Sequence, residues 1–255
     1  MRRYLHFLTV LIASLAMMAA CSTKPLRVQQ IDTEVILIDS TLNAIQDTGY
    51  LAHLQPLRDS MNILLDEVIG YLPEAMSAFL PESPLSNWAA DALLFPLRAN
   101  RPDKADFAVV NIGGLRCNWP AGNLTIRSIF ELMPFENQVV VLTLSGEKVI
   151  LLANQMAAQG GQGVSGMTFV IDPVSKTAQD IRVQGKPVDA GKDYFVVTSD
   201  YLSGGADGMD ALAQFKEREF IGKKIRTQYI DYAKTLTANN QPIAAKCDGR
   251  VRVRE

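Results

Sequence analysis

Apolar residues recur along this chain with two different periods, and the switches between them divide it into predicted elements. Leu57, Met61, Leu64, Leu65 and Val68 lie at helical spacing before Gly70 and Pro73, which predicts a core-facing, structural helix that stops there. Upstream, Val35 to Ile38 is short, continuous and apolar and reads as a strand. Ser83 followed by Pro84 makes an N-cap and first turn, after which Leu85, Trp88, Ala89 and Ala92 share one helical face. Asn87 and Asp91 lie on another face, four residues apart, where polar pairs are usually solvated. Thr125 opens a helix through Ile126, Ile129, Phe130 and Met133 that must end at Pro134. Val139 to Leu144 is the next strand, and Ser145-Gly146 leads into a helix carrying Val149, Leu152 and Met156 on one face. Met167 to Ile171, Ile181 to Val183 and Tyr194 to Thr198 read as strands, parted by turns at Asp172-Pro173 and Gly185-Lys186-Pro187. A last helix is predicted with Ile221, Ile225, Tyr229, Tyr232 and Leu236 on one stripe, and Val251 and Val253 alternate with arginine as a closing edge strand. Helices and strands so mixed make an α+β domain with no domain break beyond a modest waist near residues 157–165.

Three loops carry candidate chemistry. The apolar run Phe107 to Val110 ends abruptly in Asn111, Gly113, Gly114 and Arg116. Paired glycines let backbone approach a ligand closely or take positive φ. An amide and a guanidinium fork suit phosphate, carboxylate or sugar hydroxyls. Phe135 follows a helix end, and Tyr194 to Thr198 runs into Tyr201, Gly204, Gly205 and Asp207. Two rings can sandwich a base, and a carboxylate can accept from both ribose hydroxyls. A plain tight turn and a packing aromatic would read the same way locally, and spacing alone does not bring the loops together. The glycine-rich stretch Gly160-Gly161-Gln162-Gly163 lacks the lysine and helix context of a P-loop and reads as a flexible connection.

At 255 residues, 48% of them hydrophobic, the chain can bury a sizeable core. Its start is separate in kind: Arg2 and Arg3, an apolar run from Leu8 to Met18, then Ala19-Ala20-Cys21, the pattern of a secretory signal over residues 1–20. The run falls short of the roughly 18 to 20 residues that span a bilayer. Removing residues 1–20 takes away Arg2, Arg3 and no acid, so the formal charge goes from −2 to −4, and no basic face suggests nucleic-acid binding. Of two histidines, His6 falls in the signal and only His53 remains. Dinuclear and zinc hydrolase sites draw on several imidazoles, so no cofactor or catalytic metal is expected on this chain. The same scarcity argues against Ser-His-Asp and Cys-His schemes.

Ala19-Ala20-Cys21 resembles a bacterial lipobox, with Met18 where leucine is usual. That resemblance implies lipidation of Cys21, a polar tether over residues 21–30, a membrane anchor and, with no acidic residue in Ser22-Thr23-Lys24, the periplasmic side of the envelope. Residues 31–255 would be the folded domain. Cys117 and Cys247 are left either to pair or to stay as thiols.

The order and wording of the motifs resemble the C-terminal, substrate-binding domain of the 5′-nucleotidase and UDP-sugar hydrolase family. The resemblance rests on Glu82 to Ala92, Asn111 to Arg116, Pro134 to Asn137, Ser165-Gly166 and Tyr201 to Gly208, and runs from about residue 28 to the C-terminus. It implies that Phe135 and Tyr201 stack a base, Asp207 holds the ribose, Asn111 contacts the base, and Arg116 reaches ribose or phosphate, with Gly113 and Gly114 in the same turn. Tyr201 stands where phenylalanine is commoner, Ala206 where glycine is frequent, Trp88 for leucine, and a further ligand-facing arginine would fall near Phe79. The family's metallophosphatase domain is not in this sequence. The expectation is therefore a nucleotide-binding unit of a split 5′-nucleotidase, with the divalent metal and catalysis on a separate metallophosphatase chain. Its rivals are a stand-alone nucleoside-binding lipoprotein and a structural module whose pocket has decayed.

Overall fold

The computed structural model describes residues 2–20, 28, 30–40 and 47–254; Cys21 and most of the expected tether lie outside them. The chain divides into two compact units, Met1–Ala52 and His53–Glu255. In the first, α1 (Arg2–Ala20) is helical, and among the described residues no helix is long and apolar enough to cross a membrane. The strand predicted at Val35 to Ile38 does not form; these residues are without regular structure and exposed. Among the described residues they have no partner ladder, and a strand without one leaves its backbone groups unpaired.

The helix predicted around Leu57 is α2 (Thr48–Leu65), which buries none of its residues. Leu57, Met61 and Leu64 are exposed, so its expected core-facing role is not met. Helical spacing says which residues share a face and not whether another surface covers it. Arg127 Nε donates to Asp66, just past its end, at 2.8 Å, and Nη2 donates to Asn62 in its last turn at 2.7 Å.

The helices that follow are α3 (Pro84–Asn100), α4 (Ile126–Leu132), α5 (Gly146–Ala158) and α6 (Ile225–Ala238). The strands are β1 (Val68–Leu72), β2 (Phe107–Val110), β3 (Gly122–Thr125), β4 (Gln138–Ser145), β5 (Gly163–Ser165) and β6 (Met167–Ile171). After them come β7 (Ala178–Val183), β8 (Lys186–Pro187), β9 (Asp193–Ser199), β10 (Glu217–Lys224) and β11 (Val251–Val253). A five-stranded sheet has the order β10-β4-β9-β2-β5, a second has β11-β6-β7-β8, and β1 pairs with β3.

The five-stranded sheet is covered on both faces. Ala108, Val110, Val139, Val141 and Val197 face one core with Trp88, Leu93, Tyr229 and Ala233 of α3 and α6. Phe107, Val109, Val140, Leu142 and Val196 face another with Val149, Leu152 and Met156 of α5 and Phe169 and Ile171 of the second sheet. Burial on both sides is why β2 and the Val139 to Leu142 part of β4 read as unbroken apolar runs. Trp88 anchors the first core, its ring meeting Trp119 and Tyr229 edge-on at centroid distances of 4.9 and 5.5 Å. Ile221 belongs to β10 and not to the last helix. That edge strand is mostly charged and half exposed, so its pattern blended into the helix that follows.

Ser83 and Thr125 cap α3 and α4 as expected, each in a capping box with the serine three residues on. Asn87 and Asp91 differ from expectation, being only 1% and 8% exposed. Asn87 Nδ2 donates to Glu82 Oε1 at 2.7 Å and to the Lys246 carbonyl at 2.9 Å. Glu82 also accepts from the Asp248 and Gly249 backbone N–H groups at 2.9 and 3.0 Å. Asp91 accepts from Ser165 Oγ at 2.5 Å and takes a bidentate pair from Arg250 at 2.7 and 2.9 Å. The polar residues of this first motif thus staple residues 246–250 to α3. Cys117 and Cys247 are free thiols.

Candidate functional site

The sheet register brings the candidate loops to one edge. β2 and β9 are parallel neighbours, with Phe107 opposite Val196, so their C-terminal ends emit the Asn111 and Tyr201 loops side by side. β4 is antiparallel to β9, with Val139 opposite Ser199, which sets the Phe135 loop at the same end. β5 is antiparallel to β2, with Gly163 opposite Val110, and adds the Gln159 to Gln162 loop. Open sheets with a parallel pair commonly hold ligands at such strand ends.

Between these loops lies a cavity of about 730 Å³, within the range of small-molecule sites. The seven residues expected to bind substrate all line it: Asn111, Gly113, Gly114, Arg116, Phe135, Tyr201 and Asp207. Phe135 is 40% and Tyr201 48% exposed, and among the described residues neither ring stacks on another aromatic. The Phe135 loop is held from behind. Glu136 bonds Lys224 and Arg226, Arg226 lies 4.0 Å from the Phe130 ring centroid, and the Ile225 N–H donates to the Asn137 carbonyl at 2.9 Å. Those hydrogen bonds, to Lys224 and then to Arg226, hold the Glu136 carboxyl below its ordinary pKa.

Asp207 sits in the left-handed region at φ 53°, which aspartate tolerates better than most residues. Its carboxylate accepts from Asn111 Nδ2 at 2.5 Å and from the Tyr201 hydroxyl at 2.8 Å. The hydrogen bond to Asp207, and then its charge, push the Tyr201 phenol above its ordinary pKa. Among the described residues the Arg116 guanidinium reaches only the Gly113 carbonyl, at 3.2 Å, leaving most of its donors to the cavity and solvent. Neither Gly113 nor Gly114 has positive φ. A Cβ on Gly114 would lie 2.7 Å from Asn111 Oδ1, so this glycine makes room for the asparagine, while Gly113 faces open space.

Sequence reasoning passed over Met133, Gln159, Gln162 and Gly208, which also line the cavity, with Asn137. The glycine-rich stretch expected to be a flexible connection is instead packed, since a Cβ on Gly161 would lie 2.4 Å from the Pro81 carbonyl oxygen. Gln162, 8% exposed, accepts from the Ile112 N–H at 2.8 Å. The signal that could have found it is an amide between glycines at the start of a short buried strand, the same syntax as Asn111 reversed. Among the described residues no group of three or more His, Cys, Asp or Glu side chains could hold a metal ion.

Residues 68–214, more than half of the chain, match the 5′-nucleotidase, C-terminal domain family. The chain belongs to that family. Protein UshA of Yersinia enterocolitica is 26% identical to it over 221 residues, covering 84% of this chain and 40% of UshA. Cell wall protein Lmo0130 of Listeria monocytogenes is 27% identical over 184 residues, 66% of this chain and 23% of that protein. Among solved structures, a 5′-nucleotidase precursor from Thermus thermophilus superposes with a TM-score of 0.69 at 25% identity, covering 80% of this chain and 42% of the other. The chain therefore spans less than half the length of these relatives. The mixed α+β fold described above is the fold of the family.

Proposed function

We propose that this family member binds a nucleoside or nucleotide between Phe135 and Tyr201 and, when the ligand is a nucleotide, offers its 5′-phosphate to a metallophosphatase domain carried on a separate chain. The observation that carries the reading is the convergence on a single cavity of two half-exposed rings, one carboxylate, the Asn111 amide and a guanidinium that is largely unpaired among the described residues. The rings would hold a base by stacking, worth roughly 1 to 3 kcal/mol per base. Asp207 would exchange Asn111 and Tyr201 for ribose hydroxyls, and Arg116 would meet phosphate or ribose. Metal-activated water would attack phosphorus from the other chain, so this chain would set specificity and position.

Calorimetry with adenosine and AMP tests the pocket. Binding in the micromolar range is expected, weakened about tenfold or more by Phe135→Ala or Asp207→Ala; no heat with either ligand refutes the reading. Phosphate release from AMP by the purified, metal-loaded chain alone would refute the need for a partner. The likeness to a protein titled a cell wall protein and the Arg2 to Cys21 pattern support a cell-envelope location through a lipid on Cys21. Palmitate labelling that persists in Cys21→Ser would exclude that anchor.

A further inference from the structure

Gln159 and Gln162 end a one-way chain of hydrogen bonds. Ile112 N–H can only donate, so the Gln162 atom 2.8 Å from it must be the amide oxygen. That leaves Gln162 Nε2 to donate, and it does so to Gln159 Oε1 at 2.8 Å. Gln159 is thereby fixed with its oxygen turned towards Gln162, and among the described residues its Nε2 has no hydrogen-bond partner. That NH₂ group lies beside the Asp207 loop, 2.9 Å from where a Cβ on Gly208 would sit, and Gln159 lines the cavity. The site therefore offers a donor of fixed sense next to the carboxylate read above as the ribose holder.

Resting on that reading, we infer that Gln159 is a specificity-determining residue which donates to the acceptor on the sugar-proximal edge of the base, with Gln162 as its positioning residue. Each common base presents a lone pair there, N3 in purines and O2 in pyrimidines, so this edge separates bases poorly. A fixed donor at that edge selects for a nucleoside while tolerating any base. A glutamine free to rotate would present donor or acceptor alike and would select less.

The test compares adenosine with 3-deazaadenosine, in which N3 is a C–H, by calorimetry on the full chain, with 7-deazaadenosine as a control that keeps N3. Wild type should bind 3-deazaadenosine about tenfold more weakly than adenosine, and 7-deazaadenosine like adenosine. In Gln159→Leu the adenosine to 3-deazaadenosine ratio should fall to about one. In Gln162→Glu the carboxylate still accepts from Ile112 but cannot donate. Gln159 Nε2 then turns to it and shows its oxygen to the base, so the ratio should again collapse while melting temperature stays near wild type. A wild-type ratio near one, or a tenfold ratio surviving in Gln159→Leu, overturns the inference while leaving nucleoside binding intact. Failure of wild type to bind any of the three overturns both.

Discussion

Replacing Asp91 with alanine should destabilise the fold strongly without touching the ligand cavity. Side chains of Asp91 and Arg250 are 11% and 14% exposed. The carboxylate accepts three hydrogen bonds, two from the guanidinium and one from Ser165. Its removal leaves a mostly buried cation and an orphaned hydroxyl, and breaking such a pair costs about 3 to 5 kcal/mol. Arg250 keeps Asp248, at 2.9 and 3.2 Å, and the Val164 carbonyl at 3.0 Å. Because Asp248 is 55% exposed, that remaining pair is screened and restores only part, so the expected loss is about 3 kcal/mol. For a domain of this size that lowers the melting temperature by roughly 6 to 12 °C. Calorimetric melting of Asp91→Ala, Arg250→Met and the pair Asp91→Leu with Arg250→Met tests it, since an apolar pair avoids the uncompensated charge and should recover most of the loss. A drop under about 2 °C for Asp91→Ala, or a double variant as unstable as the two singles summed, refutes the staple. So would loss of nucleoside affinity in molecules still folded.

Gly161→Ala should cost more than about 2 kcal/mol by thermal melting, because at φ 120° its Cβ would stand 2.4 Å from the Pro81 carbonyl oxygen. Tyr201→Phe keeps the ring but frees Asp207 from one donor, so adenosine affinity by calorimetry should rise up to about tenfold, since the ribose no longer competes with the phenol. Tyr232 is pushed up to about 12, by burial first and then by the Asp91 charge, with Arg250 opposing, and burial also raises Tyr229. Unfolded phenols ionise near pH 10, so above that pH the unfolded state holds fewer protons than the native one. Stability is therefore full below about pH 10 and lost as pH rises towards 12. Melts across that window should fall more gently in Tyr232→Phe; an unchanged slope would refute the assignment.

Much of the fold was legible because most elements carry strong local signals. Ser83, Thr125 and Pro134 mark helix boundaries by capping and by a missing donor, and β2 and the Val139 to Leu142 part of β4 are apolar throughout because both sheet faces are covered. The misreadings fall where partners decide. Val35 to Ile38 has strand composition but no ladder among the described residues, α2 has an apolar stripe with none of its residues buried, and β10 is an edge strand whose charges hid its alternation. Asn87 and Asp91 read as solvated because their partners, Lys246 to Arg250 and Ser165, lie far along the chain.

The sequence by itself determined the inventory of the site, two rings, an acid, an amide and an arginine after glycines, because turn chemistry and strand ends are local properties of a few adjacent residues. Only the tertiary structure decided that these loops meet. Strand order and direction set which ends share an edge, and pairing across ninety or so residues leaves no trace in local pattern. The same pairing turned an overlooked glutamine into a donor of fixed sense, since which way an amide faces depends on the distant N–H that holds it.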